Sequence, residues 1–332
     1  MAAVARDLLS LLACPVCGRD LLPQEAWLRC GGCGLRFPVA GGVPDLTAPG
    51  DRDTAATAVR AFYSAAPFPG YPPRDSAASL RRRAARSEFA RLLDRAIPPD
   101  AAVLEVGCGT GQMCLFLATA DRLVVGADLT RAALELAAAA ARRLGVERAR
   151  FVEMDLRRPA LRAGAFDVVY CSGVLHHTPD PEASFRAIAR LARPGGFLVL
   201  GVYNAYARLP HRLRRAVARL TGLRCVPFDP VLRDRAGEPA RREAWLRDQY
   251  AHPLEHRHTL REVQQWFTRS GIEYLRSYPS TVTAEPPLEG SALFEAADDD
   301  WAFENVLQQL SWCWKLARDG GLFVAIGRRP AA

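Results

Sequence analysis

The chain has 332 residues, 49% of them hydrophobic, which can fill a sizeable core in one large domain or two unequal ones. Its net charge of +8 and pI of about 9.2 would ordinarily suggest a polyanionic partner, yet of 44 basic residues only Lys315 is a lysine. So strong an arginine bias, beside many alanines, reads as GC-rich codon usage, so composition excludes little about partners; a membrane-spanning helix is excluded, because no apolar run approaches the roughly 20 residues it needs.

The first informative stretch is residues 11 to 46, LLACPVCGRDLLPQEAWLRCGGCGLRFPVAGGVPDL. The ending LLAC resembles a lipoprotein cleavage box, but only Leu8 to Ala13 are free of charge and Asp7 sits where a basic region belongs, so a cytoplasmic location is expected. Cys14 and Cys17 form one Cys-x-x-Cys pair, Cys30 and Cys33 a second, with Gly18 and Gly34 following. Two such turns aim four thiolates at one tetrahedral Zn²⁺, and four protein ligands leave no position for substrate, so the ion is expected to be structural. A redox dithiol is the competing reading. Cys108, Cys114, Cys171, Cys225 and Cys313 are dispersed, unlike a disulfide framework.

Residues 6 to 46 resemble the Trm112-type zinc domain, in all four cysteines and the trailing Phe-Pro-Val-x-x-Gly-Val-Pro. That resemblance implies a small activator of class I methyltransferases, tethered here to its neighbour, with a scaffolding role.

Residues 47 to 97 form a connecting segment rich in Pro, Gly, Ala and Ser. Phe62, Tyr63, Phe68 and Tyr71 are out of place in a purely solvated linker, so an ordered lid over the pocket mouth is expected, followed by a basic helix from about Ser79. Arg81, Arg82, Arg83 and Arg86 read as a solvated face in preference to an RNA contact.

Val103 to Val106 run directly into Gly107, Gly109 and Gly111, then an apolar helical segment: strand, tight turn, helix. Gly-x-Gly-x-Gly after Glu105 departs from the Gly-x-Gly-x-x-Gly that clasps a dinucleotide pyrophosphate. A second apolar run ends in Asp128, a third in Met154 and Asp155, a fourth reads FDVVYCS with Cys171, and a fifth follows a Pro-Gly-Gly turn. Strands alternating with helices predict a parallel doubly wound sheet with ligands at the strand C-termini.

These segments, over residues 101 to 203, strongly resemble the class I S-adenosylmethionine-dependent methyltransferases. The resemblance implies an α/β, Rossmann-like seven-stranded sheet over residues 98–330, preceded by the ribbon at 1–46. It assigns Glu105, Gly107, Gly109 and Gly111 to the turn at the methionine end of S-adenosylmethionine and Asp128 to the ribose. Met154 and Asp155 fall to the adenine, and Cys171 with the residues after it to the floor between cofactor and acceptor. His176 and His177 are read as mostly structural and remain candidates for moving a proton. No Asn-Pro-Pro-Tyr-like motif follows the fourth strand, which weighs against methylation of a planar exocyclic amine.

TLREVQQWFTRSGIEYLRSYP matches the family's next helix and sixth strand, with Thr259 and Glu262 as a capping box and Gly271 as the stop; GGLFVAIGRRP matches the seventh strand. Insertions are therefore expected at about 204–258 and 281–319, with helices covering the site. The first holds twelve arginines against six acids between Tyr203 and His258, most of the chain's excess charge. Tyr250 and His252 are further catalytic candidates there, beside Trp245, Asp248, Gln249 and His258; a histidine metal site is disfavoured for lack of a recognised ligand spacing. In the second, Phe303, Val306, Leu307, Leu310 and Trp314 recur at helical spacing and predict a mostly packed face. A small-molecule or lipid-like acceptor is favoured; RNA or a translation-associated protein is the alternative.

Overall fold

The computed structural model describes residues 4–49, 57, 60–61, 63–64, 70–235, 237–283, 285–297 and 302–331; Phe62 and Phe68, and the side chain of Phe303, lie outside the described residues. Two sheets form among them. A short helix, Arg6–Leu11, leads into the first cysteine turn, and four antiparallel strands follow in sequential order: β1 (Leu21–Gln24), β2 (Trp27–Cys30), β3 (Arg36–Ala40) and β4 (Val43–Pro44). In both turns the amide after the knuckle returns to its first cysteine, Gly18 N–H to Cys14 O at 2.9 Å and Gly34 N–H to Cys30 O at 3.2 Å.

The second sheet has seven strands: β5 (Ala102–Val106), β6 (Leu123–Asp128), β7 (Ala149–Glu153), β8 (Phe166–Ser172), β9 (Ala192–Tyr203), β10 (Glu273–Tyr278) and β11 (Leu322–Arg328). Their spatial order is β10-β11-β9-β8-β5-β6-β7, with β5 to β9 parallel and β11 antiparallel between β9 and β10. The expected doubly wound architecture is thus present, and the strand order reverses between β5 and β8, where a crevice must open above the carboxyl ends. The helices start and stop where their caps dictate. Asp180 caps Pro181–Ala189, the Thr259–Glu262 capping box opens Leu260–Arg269, and Gly145, at φ +66°, ends the alanine-rich helix Arg131–Leu144.

Two expectations are corrected. The fifth strand does not begin after the Pro-Gly-Gly turn: β9 starts at Ala192 and runs through it, with a bulge opposite Phe166–Val168. A side chain at Gly196 would strike the carbonyl oxygens of Arg193, Asp167 and Phe166 at 2.9 to 3.0 Å, so glycine here permits close strand pairing. The helix Ala302–Lys315 turns the expected packing face outward. Val306, Leu307, Leu310 and Trp314 are exposed, whereas Gln309 and Trp312 are buried, because Gln309 accepts from Asn204 Nδ2 at 2.9 Å and Trp312 packs on Phe323. Bonds to a neighbouring strand end outweighed the helix's own apolar periodicity.

The ribbon is joined to the large sheet by backbone and core. Ala13 N–H donates to Ala160 O at 3.0 Å, Arg162 N–H to Leu11 O at 2.9 Å, and Leu46 N–H to Glu153 O at 2.7 Å. Leu8, Leu12, Cys14, Leu28, Phe37 and Leu46 share one core with Leu104, Val152 and Met154. Arg150 clasps Asp7 through two 2.8 Å bonds, and Arg131 donates to Val43 O and Ala40 O.

Candidate functional site

The crevice contains a cavity of about 320 Å³ whose walls come from every parallel strand end except that of β9. β5 delivers Gly107 and Gly109, β6 Asp128, β7 Met154 and Asp155, and β8 Ser172, Gly173 and Val174. The turn after β5 is stitched to β6 by Gly107 and Cys108, whose amides both donate to Ala127 O. Its glycines have different duties. A Cβ on Gly107, at φ +72°, would overlap Val174 at 2.2 Å; one on Gly111 would meet Ala137 and Phe151. Only Gly109 of the three, at φ +53°, would place a Cβ in open space, on the wall where a ligand can approach the backbone.

Asp128 is poised as an acceptor: Oδ2 takes the Gly109 amide and Oδ1 the Thr130 amide, each at 2.8 Å, and each oxygen keeps a lone pair for a ligand hydroxyl. Burial raises its pKa, against the pull of those amides. Asp155 is already held by Arg157, with Oδ2 accepting from Nη2 at 2.5 Å. Glu105 lies beneath the turn, off the cavity wall; Oε2 is buried without a hydrogen-bond partner among the described residues, and burial pushes the carboxyl up to about 7. Cys171 is likewise buried behind the wall, so Ser172 to Val174 form that surface in its place.

The four proton-transfer candidates separate. His177 reaches the cavity; its Nδ1 donates to Leu254 O at 2.7 Å, leaving Nε2 as the unprotonated nitrogen of a ring that burial holds neutral, down to about 4. His176 is wholly buried and stacked on Tyr203 at 3.8 Å, with neither ring nitrogen hydrogen-bonded among the described residues, and it does not line the cavity. His252 lies against His177, ring centres 3.7 Å apart, but faces a second cavity with Tyr250, whose hydroxyl donates to Asp229. Tyr250 and His252 are therefore off the main cavity.

Arg60, which no motif in the sequence singles out, completes the site with Tyr63 and Tyr71 of the expected lid and Asp248 of the covering insertion. A π-helical turn, Arg247–Ala251, carries Asp248 into the cavity, where Tyr63 donates to its Oδ1 at 3.2 Å; Arg60 enters beside them and pairs with Glu153 at the end of β7. Tyr71 closes the glycine turn, its hydroxyl donating to Thr110 O at 2.7 Å. Of the described residues of the connecting segment, Arg60 and Tyr63 line the cavity and Tyr71 bonds the glycine turn. Arg83 of the basic helix (Ala77–Ala84) is engaged by Asp75 at 2.8 Å and Arg81 by Thr119 O, while Arg82 and Arg86 are exposed.

The four ribbon cysteines place their sulfurs all within 4.8 Å of one another; Cys14–Cys33 are 3.7 Å and Cys17–Cys30 3.3 Å apart. An ion with four thiolates at about 2.3 Å requires sulfurs about 3.8 Å apart, so the set fits a tetrahedral metal. Burial opposes ionisation of Cys30, but the amides of Cys33 and Gly32 overcome it and draw the thiol down to about 6. Among the described residues no other group of three or more ligand-type side chains meets at one point.

Comparison with known proteins is in line with this geometry. Residues 104–200 match the methyltransferase domain family, and residues 5–42 the Trm112p-like protein family. The chain carries a methyltransferase domain joined to a Trm112p-like domain. An uncharacterized protein of Synechococcus sp. is 30% identical over 252 residues, which is 67% of this chain and 60% of that one. The ubiquinone biosynthesis O-methyltransferase of Cronobacter sakazakii is 33% identical over 159 residues, 48% of this chain and 63% of the relative. The chain therefore spans less than two thirds of the length of either. Among solved structures, the complex between the Haloferax volcanii Trm112 methyltransferase activator and a methyltransferase aligns at TM-score 0.47 with 15% identity, covering 84% of this chain and 99% of that one.

The methyltransferase domain receives the Trm112p-like domain at the β7 edge. Arg131, which holds two ribbon carbonyls, opens the helix that contributes Ala133 to the cavity, and Glu153, bonded to Leu46, directly precedes Met154 and Asp155. The ribbon therefore braces the wall of the cavity without entering it.

Proposed function

We propose that the chain transfers the methyl group of S-adenosylmethionine to a small-molecule or lipid-like acceptor, with the domain division at 1–46, 47–97 and 98–330. The observation that carries this is the convergence of Gly109, Asp128, Met154 and Asp155 on one cavity at the strand reversal. When bound, the cofactor supplies an electrophilic sulfonium methyl. Gly107 and Gly109 would admit its methionine end, Asp128 would accept from the ribose hydroxyls, and Met154 with Asp155 would meet the adenine. Asp155 must then share its carboxylate between Arg157 and the base.

The residues of the chain have two tasks left: to align the acceptor and to exclude water. Tyr63, Asp248 and His177 border the cavity beyond the strand ends and are the groups an acceptor would meet. His177, neutral and with Nε2 free to accept, can take a proton from an acceptor hydroxyl. Cys14, Cys17, Cys30 and Cys33 would hold a structural zinc ion, which fastens the ribbon and takes no part in turnover. That site needs reduced sulfurs, in keeping with a cytoplasmic setting.

The Trm112p-like domain and the arginine excess of residues 203–258 support a second reading, with RNA or a translation-associated protein as acceptor. A labelled-methyl screen of cell extract, separated into metabolite, lipid, RNA and protein fractions, decides between them. Label in small molecules or lipids supports the first reading; label confined to RNA or protein, lost steeply with salt, replaces it. No labelling of any fraction, with no binding of S-adenosylhomocysteine, would refute methyl transfer.

A further inference from the structure

Helix Leu209–Leu220 carries apolar side chains on the side facing away from the protein. Leu209, Leu213, Ala216 and Leu220 are spaced four, seven and eleven residues along and share one face. Leu213 is 70% and Leu220 88% exposed, while His211 and Ala218 on the opposite face are buried. The following turn adds Phe228, 94% exposed, and Arg214 Nη2 donates to Phe228 O at 2.9 Å, holding that turn against the helix. Phe228 sits at φ +54°, a left-handed conformation that a bulky residue avoids unless its surroundings impose it.

The charge around this stripe is of one sign. Arg212, Arg219 and Arg224 are exposed, and among the described residues none has a carboxylate within ion-pair distance. Arg215, by contrast, is engaged by Glu255 at 2.7 Å and His252 O at 2.6 Å. The helix follows the C-terminal end of β9, on the side of the sheet where the main cavity opens. Helix Ala302–Lys315 is pinned beside its start by Cys313 Sγ–H to Tyr206 O at 3.1 Å, and the next residue, Trp314, is 80% exposed.

We propose that residues 209–228 dock the protein, peripherally, on an anionic lipid bilayer. Leucines and a phenylalanine projecting between unpaired arginines match an interface in which apolar side chains enter the acyl boundary and guanidinium groups remain at lipid phosphates. Single-stranded RNA fits this face poorly, because successive bases call for several stacking aromatics, and residues 209–228 expose one, Phe228, among aliphatic side chains. The inference goes beyond methyl transfer, since docking requires neither cofactor nor acceptor, and either can fail without the other.

The test is sedimentation of the full chain with vesicles of phosphatidylcholine containing about one third phosphatidylglycerol, against vesicles of phosphatidylcholine alone. The wild type should co-sediment with the anionic vesicles. The triple variant Leu213→Ser, Leu220→Ser, Phe228→Ser should lose at least about tenfold in apparent affinity with an unchanged melting curve, since all three side chains are exposed. Arg212→Gln, Arg219→Gln, Arg224→Gln should erase the preference for anionic vesicles. A wild type that stays in the supernatant overturns the proposal, as does a serine variant that sediments equally well. Retention of RNA that the serine substitutions leave untouched, without vesicle binding, assigns the arginines to nucleic acid and overturns it too.

Discussion

Replacing Asp128 with alanine should weaken binding of S-adenosylhomocysteine by about 100-fold. The carboxylate sits at the carboxyl end of β6, is fixed by the amides of Gly109 and Thr130 at 2.8 Å, and directs its remaining lone pairs into the cavity. A hydrogen bond to a charged acceptor contributes about 1.5–3 kcal/mol, and the two ribose hydroxyls share one carboxylate, so a combined loss of about 3 kcal/mol is expected. That corresponds to roughly two factors of ten in Kd. Asp128→Asn keeps one acceptor oxygen and removes the charge, and should fall between wild type and alanine. Titration calorimetry with S-adenosylhomocysteine reads the effect, and thermal melting without ligand separates it from unfolding, because the alanine variant also leaves two amides without their acceptor. An alanine variant that folds and binds within twofold of the wild type would refute the assignment of this cavity to the cofactor.

Three further outcomes follow from burial and linkage. Burial lifts the Glu105 carboxyl from 4.5 to about 7, so the folded protein holds a proton that the unfolded chain has released. The stabilisation it provides is complete below pH 4.5 and is lost as pH rises through 7, on the order of 3 kcal/mol; Glu105→Gln should flatten this part of the stability curve in denaturant titrations, and an unchanged slope would count against it. A metal chelator, or Cys30→Ser, should lower the melting temperature of the whole chain in one transition, because the four cysteines would hold a metal and Leu8, Leu12 and Leu46 share a core with the methyltransferase domain. A methyltransferase transition that stays in place would show that the ribbon is an independent appendage. Trp312→Ala should cost about 3–5 kcal/mol and Trp314→Ala no more than about 0.5 kcal/mol, two tryptophans on one helix separated by burial; equal losses in chemical denaturation would reverse the orientation of that helix.

The parts of the site legible in the sequence are those set by local geometry. A strand running into Gly107, Gly109 and Gly111 reads as a turn that a ligand can approach, and acids at strand ends fall on one edge because parallel strands share a direction. The paired cysteines were equally plain, since a Cys-x-x-Cys turn brings two thiolates together without distant help. Side-chain direction was less plain. Glu105, Gly111 and Cys171 lie within the expected motifs but turn away from the cavity, whereas Ser172 to Val174 face it. Of the histidine pair, the 3₁₀ turn Leu175–His177 presents His177 to the cavity and buries His176 against Tyr203.

Long-range partners were illegible for a different reason. Arg60 meets Glu153, and Tyr63 meets Asp248, across wide separations in the chain that no local pattern encodes. The helix near the C-terminus shows the same limit in reverse: its apolar periodicity was real, but Asn204 and Phe323 selected the opposite face for burial. By itself the sequence determined the order of strands and turns, the four-thiolate set and the glycine-rich loop, all of which depend on residues close together in the chain. Only the tertiary structure decided which side chains line the cavity, that the ribbon braces β7 and that the arginine-rich insertion turns leucines outward, because each depends on contacts the chain makes only once it is folded.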